Sequence, residues 1–139
     1  MYIDDVVVGQ SASLERTVTQ DVINTFADAS GDHNPVHVDP AFAADTMFKG
    51  TIAHGMLSAA YISAVLGTQL PGPGAIYMAQ TLKFRAPVRP GDMVVTTCTV
   101  KEVFPEKKRV VLDTLCRVGE TVVLEGMATM LVQPRPKQS

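Results

Sequence analysis

Between Ser30 and Asp39 the chain reads Ser-Gly-Asp-His-Asn-Pro-Val-His-Val-Asp. This places a carboxylate (Asp32), a carboxamide (Asn34) and an imidazole (His37) within six residues. Gly31 and Pro35 turn the backbone there. Farther on, His54-Gly55-Met56 opens a long apolar stretch with helical spacing. The first N–H groups of a helix have no partner inside it, so they can hold a negative charge. An acid–base pair facing such a helix start has what is needed to add water across a polarised double bond, or to remove it.

Those groups need elements to position them. Val22, Ile23, Phe26, Ala27 and Ala29 share one face at helical spacing, which predicts a helix that starts at Thr19 and is ended by Gly31. The loop follows, then a helical turn around Pro40–Asp45. From His54 to Leu70 the pattern is apolar nearly all round, which predicts a helix buried on most sides, stopped by Pro71-Gly72-Pro73-Gly74. The remainder is strand-like: Ile76 to Val88 alternates, and Met93–Phe104, Arg109–Val118 and Thr121–Val132 are β-rich runs separated by turns. Residues 6–18 supply a short opening strand. One buried helix followed by long antiparallel strands predicts an α+β fold with the sheet wrapped round the helix. A single sheet leaves a free edge and an uncovered helix flank, so a homodimer is expected.

The 139 residues suit a single domain, 1–139, with a loose, proline-bearing tail from about 133. A net charge of −2 argues against non-specific nucleic-acid binding. Asp4 and Asp5 stand where a secretion signal would be basic then apolar. The stretch from Met56 to Leu70 is too short and too interrupted to span a bilayer, so no membrane partner is expected and the cytoplasm is the expected compartment. Cys98 and Cys116 have no partners at metal spacing and read as small buried hydrophobes. Residues 1–80 carry eight acids against two bases, whereas residues 81–139 carry ten bases against six acids. A basic second half could hold a phosphate-bearing ligand.

The run Ser30-Gly31-Asp32-His33-Asn34-Pro35-Val36-His37, followed by His54-Gly55-Met56, resembles the hydratase-2 motif of the MaoC-like, (R)-specific enoyl-CoA hydratases. The resemblance extends from the opening strand to about Val132. It implies a hot-dog fold, a long central helix wrapped by an antiparallel β-sheet of about five strands. The activity it implies is reversible syn addition of water to trans-2-enoyl-CoA, giving (R)-3-hydroxyacyl-CoA. Short members of this kind supply polyhydroxyalkanoate monomers. Asp32 and His37 would hold the water and move its protons. The Gly55 N–H would form the oxyanion hole, and Ser63 aligns with an active-site serine of short members. Asn34 would shape the loop on the substrate side, and the acyl tail would pass Met56, Ala59, Leu66 and Met78. Arg85 and Lys108, among the cations of the second half, would meet the phosphates of coenzyme A. No metal and no cofactor is implied, since coenzyme A belongs to the substrate.

Other classes remain to be weighed. Hot-dog thioesterases, and the dehydratases of fatty-acid synthesis, place an Asp or Glu on the central helix; residues 54–70 contain neither. A MaoC-like dehydratase would run the same chemistry backwards or on an acyl carrier protein. A non-catalytic thioester-binding module should have lost one of the proton-handling pair, yet Asp32 and His37 are both present.

Overall fold

The computed structural model describes residues 1–137. Strand β1 (Ser11–Thr17) leads to helix α1 (Gln20–Ser30), then to two short helices, α2 (Pro35–Val38) and α3 (Pro40–Ala44), and to the long helix α4 (Gly55–Thr68). Strands β2 (Ile76–Gln80), β3 (Lys83–Phe84), β4 (Met93–Phe104), β5 (Arg109–Val118) and β6 (Thr121–Leu131) complete the chain. Local chemistry accounts for the helix ends. Thr19 caps α1 by accepting from the Val22 N–H at 3.2 Å, and Gly31 leaves it with φ 82°, in the left-handed region. Asn34-Pro35 and Asp39-Pro40 repeat one device: a side-chain cap followed by a proline at the first helical position, where no N–H is missed. The helical turn expected around Pro40–Asp45 is α3. A second such turn, α2, carries His37 itself.

The strands form a six-stranded sheet in the order β1-β4-β5-β6-β2, with β3 paired to β6 and every pairing antiparallel. Alternation decides the inner face: Val94, Thr96, Cys98 and Val100 of β4, and Val110, Leu112, Thr114 and Cys116 of β5, are buried. Against them lie Leu57, Ile62, Val65 and Leu66 of α4. Full burial of side chains of this size contributes about 1.5–3 kcal/mol each, so the helix–sheet seam holds the fold together. The expected hot-dog arrangement is found, with a main path of five strands and the short β3 beside it.

Helix α4 is covered on most sides, as expected, and leaves one flank open: Met56, Ala60, Ser63 and Gly67, a single stripe, remain exposed. Two expectations are revised. The alternating run 76–88 is broken into β2 and β3, because Thr81 crosses over β6. Its N–H donates to the Met127 carbonyl at 2.9 Å, and its hydroxyl accepts from the Met127 N–H at 2.9 Å. Among the described residues, the tail beyond Gln133 has no helix or strand, yet it is tethered. The Gln133 carbonyl accepts from the Ile3 N–H at 2.9 Å, the Arg135 N–H donates to Asp4 at 2.7 Å, and the Arg135 guanidinium pairs with Asp5. Gln138 and Ser139 lie outside the described residues.

The crossing requires a glycine beneath it. A Cβ at Gly126 would stand 1.8 Å from the Thr81 carbonyl oxygen, a backbone atom with no rotamer to escape into. Gly126→Ala is expected to destabilise the protein by about 1–3 kcal/mol through overpacking, read as a lower urea midpoint at unchanged m-value. An unchanged midpoint would show that the crossing yields freely.

Candidate active site

His37 is 9 % exposed, and its Nδ1 lies 2.8 Å from the Ile52 carbonyl. A carbonyl only accepts, so Nδ1 carries the proton and Nε2 is left with a free lone pair. The segment that supplies this carbonyl is itself held on both sides. The Ile52 N–H donates to the Val36 carbonyl at 3.2 Å, and the Ala53 N–H donates to the Val88 carbonyl at 2.7 Å. Gln20 adds a clamp from α1: its amide donates to the His37 carbonyl at 2.8 Å and to Asn24 at 3.0 Å, and its carbonyl accepts from the Thr51 hydroxyl at 2.8 Å.

Asp32 is exposed, and its Oδ1 accepts from the Asn34 N–H at 3.2 Å, so the carboxylate shapes the turn on which it sits. Asn34 does the same for α2, accepting from the Val36 N–H at 3.2 Å. Asp32, His37 and His54 bring one donor atom each within 4.8 Å of one another. The His37 and His54 rings are stacked, with centroids 3.8 Å apart and planes 27° apart. Each ring also gives one nitrogen to a backbone carbonyl.

Beside the cluster is a cavity of about 540 Å³, lined by His37, His54, Gly55, Ser58, Phe84 and Arg85 among other residues, most of them apolar. Gly55 is the first residue of α4, which has neither a side-chain cap nor an acid in its first turn. Its free N–H groups and the positive end of its dipole are therefore available to an anion. A Cβ at position 55 would stand 2.4 Å from the Phe84 ring, so glycine lets that aromatic wall close on the helix start.

The remaining candidates are dispersed. Met56, Ala59, Ser63 and Met78 line a separate groove, also about 540 Å³, on the uncovered flank of α4 with Phe26 and Tyr77. Met56 belongs to both cavities, so the two are neighbours along the helix. Leu66 is fully buried in the core and lines neither. Arg85 reaches the first cavity while paired to Glu125 through Nε at 3.1 Å. Lys108 does not join the site within one chain. It precedes Arg109, which pairs with Leu131, whereas the cavity uses Leu124. Seven residues of strand separate those two positions, about 23 Å.

Sequence reasoning passed over Ser58, one turn along α4 from Gly55 and buried in the cavity wall, and Phe84; both follow from placing Gly55 at the helix start. Gln20 carries no signal of its own type. The cysteines match their expectation as buried groups: burial pushes Cys98 up to about 12 and raises Cys116 as well, so both stay thiols. At the surface, the hydrogen bond to Asp28 raises the pKa of His33. Gln20→Ala is expected to destabilise by about 1–2 kcal/mol, because partly buried hydrogen-bond partners lose their mate. Thermal unfolding would show this, and an unchanged midpoint would remove Gln20 from the scaffold of the loop.

The geometry agrees with what the chain is similar to. It is 56% identical over 134 residues to an (R)-specific enoyl-CoA hydratase of Rhodospirillum rubrum, covering 96% of this chain and 93% of that one. It is 48% identical to a 3-hydroxybutyryl-CoA dehydratase of Methylorubrum extorquens, covering 95% and 84%. The solved (R)-hydratase of Aeromonas caviae, described as involved in PHA biosynthesis, superposes with a TM-score of 0.89 at 40% identity, over 92% of this chain and 98% of that one. With the MaoC like domain model matching residues 7–124, the chain belongs to the MaoC-like family.

Proposed function

We propose that this protein is an (R)-specific enoyl-CoA hydratase, adding water reversibly to trans-2-enoyl-CoA to give (R)-3-hydroxyacyl-CoA. The observation that carries this reading is the meeting of Asp32 and His37 within 4.8 Å, with the His37 ring held through Nδ1 so that Nε2 is bare, beside a cavity whose wall includes the uncapped start of α4. Water held between carboxylate and imidazole attacks C3 while one of the two takes its proton. The C2=C3 π electrons move onto the thioester oxygen as an enolate. As the enolate collapses, C2 takes a proton from the same side. The Gly55 N–H and the helix dipole stabilise the enolate oxygen, where a single donor is worth about 3 kcal/mol. Water and enoyl thioester balance hydroxyacyl thioester, so the reaction takes no cofactor. Arg85, the cation among the cavity-lining residues, is placed to meet a phosphate of coenzyme A.

The similarity to a 3-hydroxybutyryl-CoA dehydratase favours a second reading, the same chemistry run toward the enoyl thioester. One site catalyses both directions, and substrate supply selects between them. The likeness to an (R)-hydratase of PHA biosynthesis supports a role in providing (R)-3-hydroxyacyl units for polyhydroxyalkanoate. Two buried free thiols fit the reducing cytoplasm. Among the described residues no helix is long and apolar enough to cross a membrane. The homodimer finds support in the exposed stripe of α4 and in the apolar edge strand β2, where Ile76, Tyr77 and Met78 are 52%, 38% and 50% exposed. An edge of this kind invites a second copy.

Two measurements test the reading. With crotonyl-CoA, the wild type is expected to remove the enoyl-thioester absorbance and release the (R)-alcohol, and Asp32→Asn and His37→Gln to be slower by about 10²–10⁴-fold while still folded. A wild type that binds enoyl-CoAs without consuming them would replace the hydratase by a binding module, and release of free thiol would make it a thioesterase. Sedimentation is expected to give a dimer, weakened by Ala60→Arg on the exposed stripe. A monomeric wild type would overturn the assembly.

A further inference from the structure

His54 is 3 % exposed, deeper than either proton-handling residue, and its contacts point at both of them. Its Nε2 lies 2.9 Å from the backbone carbonyl of Asp32. That carbonyl can only accept, so Nε2 carries the proton. Its Nδ1 is buried with no hydrogen-bond partner. One face of the ring stacks on His37 at 3.8 Å, and Phe26 of α1 packs against it at 5.0 Å, tilted by 59°. As the residue before Gly55, His54 is also the N-cap position of α4, yet its side chain bonds none of the helix N–H groups. A residue there could satisfy an orphan donor. This one reaches sideways to the loop and leaves the helix start open.

We propose that His54 is a positioning residue for the hydration reaction: a strut in the Nε2–H tautomer that ties the backbone of Asp32 to the start of α4 and braces the ring of His37. The inference rests on the hydratase reading for its kinetic consequence and on geometry alone for the tautomer. Asp32 sits on an exposed turn whose side-chain bonds are local, its Oδ1 serving Asn34 and its N–H donating to the Ser30 hydroxyl at 3.1 Å. Within that turn, nothing ties the carboxylate to the cavity. The bond to His54 does so by linking residue 32 to the residue that precedes Gly55, so one rigid ring sets the spacing between carboxylate, imidazole and oxyanion donor. The two stacked imidazoles therefore hold opposite tautomers, Nδ1–H in His37 and Nε2–H in His54. Each turns its N–H to a carbonyl, and only His37 keeps a lone pair for water.

Two substitutions separate the hydrogen bond from the packing. His54→Phe keeps a flat ring between His37 and Phe26 and removes the donor. His54→Gln keeps an N–H near the position of Nε2 and removes the ring. The expected result is a kcat lower by tenfold to about a hundredfold in His54→Phe, the scale of a misplaced catalytic group. Its KM should stay within about twofold, because binding is not what was lost. His54→Gln should recover most of the kcat. A His54→Phe enzyme with wild-type kcat, or a His54→Gln enzyme no better than the phenylalanine variant, would overturn the strut. Nitrogen-15 NMR of the wild type labelled at its three histidines, at pH 8, reads the tautomer without a variant. Nε2–H for His54 and Nδ1–H for His37 are expected, and a proton on Nδ1 of His54 would sink the proposal. If the wild type consumed no enoyl-CoA, the hydratase reading would fail, and the tautomer would still decide whether the strut exists.

Discussion

The hydrogen bond between the His37 ring and the Ile52 carbonyl decides more of this molecule than any other polar contact. It selects the nitrogen that stays bare, fixes the ring plane, and ties the loop after α1 to the segment that leads into α4. Ile52 and Ala53 can hold it because each is bonded to a different neighbour, Val36 on one side and Val88 on the other. If the bond is lost, the imidazole is no longer held in its plane by an acceptor, while the Ile52–Val36 and His54–Asp32 bonds still hold the loop. The remainder of the site is arranged around that fixed ring: a second imidazole stacked on it, a carboxylate beside it, and a helix whose first N–H groups stay open.

Helix α4 serves three tasks with different parts of its surface. Its buried face, Leu57, Ile62, Val65 and Leu66, closes the core against β4, β5 and β6. Its start lies at the cavity, and its exposed stripe of Met56, Ala60, Ser63 and Gly67 is left for another surface to cover. A helix with an acid or a strong cap at its first turn would be steadier by about 1 kcal/mol and would no longer offer its N–H groups to an anion. The absence of both is thus a stability cost located at the reacting end.

Most of the fold was legible because periodicity reports burial. The runs Met93–Phe104 and Arg109–Val118 are the strands β4 and β5, since each carries an inner face on alternate residues. The break between β2 and β3 was not legible. It depends on Gly126 lying under Thr81, forty-five positions earlier in the chain, a relation that no local pattern records. In the candidate site, the turn that carries Asp32 and His37 and the helix start at Gly55 were readable from residue type and spacing, because turn chemistry and helix starts are local. Gln20 and the stacking of His54 on His37 were not, because both arise from elements that meet only in three dimensions. Leu66 lies in the core and Lys108 away from the cavity of its own chain, and neither placement was legible for the same reason: an apolar residue on a helix and a basic residue on a turn reveal their surroundings only once the sheet is closed.

The order of the strands has a consequence for how the protein is made. β1 lies beside β4, with Ser11 paired to Thr99, and the cavity near His37 is walled by Val123 and Leu124. On the ribosome, the loop that carries Asp32 and His37 emerges long before the residues that enclose it. Synthesis proceeds at about 5–20 residues per second, so the loop waits several seconds as an unshaped peptide. The site therefore cannot mature stepwise from its N-terminal half; it comes into being with the last strand, in the same event that closes the core.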